Sequence, residues 1–99
     1  MNVNVFERPE TVPIHCEDKD WTGTYIDPSA GITIDIYKPD GTKKVDAGAM
    51  SKVTTGKYVY YYNSEATDPA GWWRYSCKAV DGSGAGARTV ITKGSFQLN

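Results

Sequence analysis

Apolar and polar residues alternate along several short stretches of this chain. Residues 31–38 (GITIDIYK) are the clearest: Ile32, Ile34 and Ile36 fall on one phase, Thr33, Asp35 and Tyr37 on the other. A period of two is that of a half-buried strand. Residues 11–17 place Val12, Ile14 and Cys16 on one face, and Pro13 removes a ladder donor there, so this strand should lie at an edge or carry a bulge. In 72–80 the inward phase is Trp73, Tyr75, Cys77 and Ala79, because the other carries Arg74, Ser76 and Lys78. Residues 2–6, 42–46, 57–62 and 88–98 are read as further strands, with Val59 and Tyr61 out of phase with Tyr58, Tyr60 and Tyr62. Val90 and Ile91 are adjacent and Gly94 precedes Phe96, which predicts a bulge near Gly94. Residues 47–53 are read as one helical turn.

Turn signals separate these stretches. Pro39-Asp40-Gly41 is a tight turn, residues 18–30 form a long loop, Asp68 to Gly71 a corner, and residues 81–87 a hairpin loop. About seven strands with regular turns predict an all-β sandwich of two antiparallel sheets, one domain over residues 1–99. Composition agrees: eight Val, six Ile and ten Thr stand against one Leu. β-branched residues favour strands and Leu favours helices.

Charge narrows the function classes. Eleven basic and twelve acidic residues leave a net charge of −1, against the basic surplus of nucleic-acid binders. No apolar run is long enough to span a membrane as a helix, and the start lacks a secretory leader pattern. No Gly-x-Ser-x-Gly, His-Glu-x-x-His or phosphate-loop motif is present, so the chain is read as non-enzymatic and without cofactor. His15 and Cys16 are strand neighbours pointing to opposite faces, which excludes a thiol–imidazole pair, and His15 is read as a surface residue. Two Cys and one His do not supply a zinc set. Asp18, Asp20 and Asp27 offer oxygen ligands for calcium, but their spacing is not that of an EF-hand, and no metal is expected. The Gly-rich 82–86 segment leads into a strand, without the helix N-terminus that a phosphate cradle uses.

The run from Pro69 to Gly82 (PAGWWRYSCKAVDG) resembles the F strand and F–G hairpin of immunoglobulin-like β-sandwich modules. Thr55 to Tyr60 is similar to the strand E entry in the bacterial, archaeal and phage members. Ile32 to Gly41 is similar to strand C, and Gly94 to Leu98 to strand G. The resemblance covers most of the chain. It puts Cys16 on strand B and Cys77 on strand F, close in space, as an inter-sheet disulfide or as two buried thiols; with no leader evident, reduced thiols are the favoured expectation. Tyr75, two residues before Cys77, matches the family's tyrosine. Two departures stand out: Ile34 replaces the buried Trp of strand C, and Gly71 replaces the Asp six residues before the second Cys.

The aromatics in the outward phase are the functional candidates. Pairing of strands C and F is expected to set Tyr37 beside Trp72 and Asp35 beside Arg74, an aromatic pair next to an ion pair. Trp, Tyr and Arg dominate protein-binding hot spots. Tyr61 on the other sheet and Trp21 in the long loop are further interface candidates. The resemblance implies a structural or assembly module whose partner is another protein, such as the head, neck or tail accessory proteins of tailed phages. Such a protein would be found in the host cytoplasm and then in the virion. The alternative is a carbohydrate-binding or adhesion module of a secreted, extracellular protein.

Overall fold

Val12, Ile14 and Cys16 are buried and Thr11, Pro13, His15 and Glu17 exposed along strand β2 (Thr11–Glu17). The same rule gives β3 (Ile32–Tyr37), with Ile32, Ile34 and Ile36 inward. It also gives β7 (Gly71–Asp81), with Trp73, Cys77 and Ala79 inward. In this computed structural model, which describes residues 5–82 and 87–99, the remaining strands are β1 (Val5–Phe6), β4 (Lys43–Ala49), β5 (Ser51–Thr54), β6 (Lys57–Asn63) and β8 (Arg88–Leu98). Residues 2–4 of the first expected strand, and most of the Gly-rich loop, lie outside the described residues.

The strands form a β-sandwich of a five-stranded sheet, ordered β1-β8-β7-β3-β4, and a three-stranded sheet, ordered β2-β6-β5. Trp73 lies between them, stacked on Phe96 at 5.9 Å and 5.6 Å from the Tyr62 ring. Its indole N–H donates to the Pro69 carbonyl at 2.9 Å, which satisfies the polar atom of a side chain with no exposure. Cys16 on β2 and Cys77 on β7 join the two sheets as a disulfide, with Cα atoms 6.8 Å apart, and are not two thiols. One pairing is parallel: Val5 and Phe6 lie beside Gln97 and Leu98.

Two local expectations are corrected. Residues 47–53 are not helical; the chain runs extended through β4 and β5 and changes sheets at the buried Met50. Ala47 takes the turn with a φ of 52°, and its N–H donates to the Asp35 carboxylate at 2.7 Å. That bond holds a backbone shape that side-chain patterning does not encode. The bulge expected near Gly94 is also absent. β7 and β8 pair without a register shift from Gly71↔Leu98 to Asp81↔Arg88. Val90, Thr92, Gly94, Phe96 and Leu98 share one phase, and it is Ile91 that points to solvent, 58% exposed. Gly94 is there because the Tyr75 phenol lies across it, where a Cβ would collide with the ring.

Candidate interaction face

The outer face of the five-stranded sheet is built by the outward phases of three neighbouring strands. β3 contributes Asp35 and Tyr37, β7 contributes Trp72, Arg74, Ser76 and Lys78, and β8 contributes Ile91, Lys93 and Ser95. The register differs from the expected one by two residues. Tyr37 is opposite Arg74 and Asp35 is opposite Ser76, while Trp72 is opposite Gln97. Tyr37 and Trp72 are therefore not a directly opposed pair, and Asp35 does not pair with Arg74.

Asp35 has other partners. Besides the Ala47 N–H, it faces the Lys43 ammonium at 3.8 Å, and Lys43 also lies 5.7 Å from the Tyr37 ring centroid. Hydrogen bonding to Asp46, with further attraction from Asp35, holds Lys43 above its usual pKa. This arrangement leaves Arg74, Lys78 and Lys93 without a carboxylate partner among the described residues. On a chain of net charge −1, the outward positions named on β3, β7 and β8 thus carry Arg74, Lys78 and Lys93 against the single carboxylate of Asp35, which Lys43 engages.

Between Tyr37, Arg74, Ser76, Ile91 and Lys93 lies an open depression of about 550 Å³. Trp72, 51% exposed, stands on the same face. Sequence reasoning found the aromatic and Arg74 part of this face. It missed Lys93 and Ile91, because the expected bulge reset their phase.

The structure does not gather the other candidates here. Tyr61, 62% exposed, is on the three-stranded sheet opposite Pro13, and so faces the other way. Trp21, 96% exposed, stands in a small turn closed by the Lys19–Tyr25 bridge. The Asp20 carboxylate holds that turn, accepting from the Thr22 hydroxyl and from the Thr22 and Thr24 N–H groups, and those bonds lower its pKa. No protein-family model, no curated protein and no solved structure matches this chain.

The three loop carboxylates point to three separate partners. Asp18 is buried against Arg88 at 3.4 Å, Asp20 holds its own turn, and Asp27 binds Lys52 and the Gly56 N–H. They do not converge on one point. Among the described residues no group of three or more His, Cys, Asp or Glu side chains is placed to hold a metal ion.

Proposed function

We propose that this chain is a non-enzymatic structural or protein-interaction module, and that it engages an acidic partner protein through the outer face of its five-stranded sheet. One observation carries the reading: Arg74 and Lys93 flank an open depression on the face that holds exposed Trp72, with no carboxylate of the chain pairing with either cation among the described residues. Cations on such a face favour an acidic partner and disfavour a basic one, and aromatic side chains supply contact area at small entropic cost. The resemblance to immunoglobulin-like modules, including those of phage virions, suits an assembly role.

The test follows tryptophan fluorescence while polyglutamate, or a panel of neutral oligosaccharides, is titrated in. A response to polyglutamate that is lost in Trp72→Phe, is weakened in Arg74→Ala and Lys93→Ala, and falls with added salt supports the reading. A response confined to the oligosaccharides overturns it in favour of a carbohydrate-binding module. No response to either overturns the acidic-partner assignment.

A further inference from the structure

The two sheets expose four edges, and three of them carry features that discourage strand addition. β4 has register shifts against β3 and two lysines, Lys43 and Lys44. β2 has Pro13 in its middle. β5 is four residues long with a register shift. Bulges, prolines, lysines and shortness are the usual means of blunting an edge.

The fourth edge is different. β8 pairs with β7 over its whole length without a shift, yet β1 covers it on the other side only at Gln97 and Leu98. From Arg88 to Phe96 no described residue pairs with that side. This stretch contains no proline, and Lys93 is its one lysine.

Backbone geometry shows which groups on that side have no partner among the described residues. The Asn99 N–H donates to the Phe6 carbonyl at 2.8 Å and the Asn99 carbonyl accepts from the Arg8 N–H at 3.0 Å, so Asn99 faces the β1 side. Strand residues alternate in hydrogen-bonding direction. Ser95, Lys93, Ile91 and Thr89 therefore turn their N–H and C=O groups to the same side. Ile91 also projects an exposed apolar side chain from the outer face.

We propose that two copies of the chain pair antiparallel through β8 about a two-fold axis at Ile91, fusing their five-stranded sheets into one. The edge is self-complementary in this register. Ile91 exchanges both backbone hydrogen bonds with Ile91 of the second copy, and the two side chains cover each other. Lys93 falls opposite Thr89, so no like charges are directly opposed. The pairing uses backbone and the Ile91 side chain, which also lines the depression beside Arg74 and Lys93, and it forms without an acidic partner.

An edge contact of this size belongs to the weak class, so the test is solution mass by light scattering up to roughly 1 mM chain. The wild-type mass should rise with concentration from 10.9 kDa to twice that value. Ile91→Pro removes an N–H that the β7–β8 ladder does not use, and should stay monomeric. Near-UV circular dichroism of the buried Trp73 then checks that the variant is folded. Ile91→Lys keeps the backbone intact, opposes like charges across the axis, and should weaken the dimer by at least about tenfold. Trp72→Ala should leave it unchanged. A wild type that stays at monomer mass throughout overturns the proposal, as does a dimer that persists in both Ile91 variants or dissociates in Trp72→Ala.

Discussion

The Tyr62 hydroxyl donates to the Asp68 carboxylate at 2.6 Å within the buried end of the sandwich. Asp68 also accepts from the Glu65 N–H at 2.9 Å and faces the Lys44 ammonium at 3.5 Å, while its backbone carbonyl takes a 2.6 Å bond from Arg8. The Asp68 carboxylate thus ties the 64–70 corner to β6 and β4, and its backbone carbonyl ties the corner to the segment after β1. Burial by itself would raise the Asp68 pKa, but the bonds from Tyr62, Glu65 and Lys44 together hold it below the usual value of 3.8. Burial, reinforced by the bond to Asp68, pushes the Tyr62 phenol well above its usual 10.0.

This pair makes stability fall at both ends of the pH scale. A carboxylate with a depressed folded pKa contributes stability above the unfolded value, and loses it as pH falls through the folded one. The Asp68 contribution is therefore present above the unfolded value of 3.8 and is lost as pH falls from there through the lower folded value. A phenol with a raised folded pKa contributes fully below its unfolded value, so the Tyr62 part begins to be lost as pH rises past 10.0. Tyr62→Phe should cost about 1.5–3 kcal/mol at neutral pH, since the bond removed is to a charged group. It should also flatten the alkaline limb, and Asp68→Asn the acid limb, in denaturant unfolding measured across pH.

Joining Cys16 to Cys77 closes a loop with a sequence separation of 61. Chain entropy for a loop of that size corresponds to about 4 kcal/mol, and measured losses run ~2–5 kcal/mol. The Cys16→Ala/Cys77→Ala variant should show a loss in that range. Treating the wild type with reductant should lower its melting temperature and leave the double variant unaffected.

Gly94→Ala should destabilise by about 1–3 kcal/mol, because the new methyl must displace the Tyr75 ring lying across that position. In a Tyr75→Ala background the same substitution should cost little, and the double-mutant cycle reads the coupling directly.

The tryptophans separate core from surface. Trp73→Ala should cost about 3–5 kcal/mol, since it empties a site with no solvent exposure. Trp21→Ala and Trp72→Ala should stay within about 0.5 kcal/mol of wild type, because both side chains are largely in solvent. Equilibrium unfolding of the three variants checks the ordering.

Where one face of a strand is fully buried, period-two alternation found it: Val12, Ile14 and Cys16, then Ile32, Ile34 and Ile36 lie where the spacing put them. The signal fails where backbone conformation or a distant partner decides. Around Ala47 the chain shape depends on a hydrogen bond from twelve residues away, to Asp35. At Gly94 the side chain that matters belongs to β7, so the glycine suggested a bulge that the unbroken register excludes. The candidate face was legible as a set of outward aromatics and Arg74. Its register was not, because strand phase says which face a residue occupies and leaves a two-residue slide undetermined. Asp68 stood in the sequence as a corner residue, and only its burial beside Tyr62 shows its structural role.

The parallel pairing of β1 with β8 also has a mechanical meaning. β1 begins at Val5 beside Gln97, and β8 ends at Leu98 beside Phe6. Tension drawing the two chain ends apart would act along these strands in opposite directions, loading their hydrogen bonds in shear, all at once, instead of peeling them open singly. Behind that clamp, the bond between Cys16 and Cys77 would keep the segment between them from paying out.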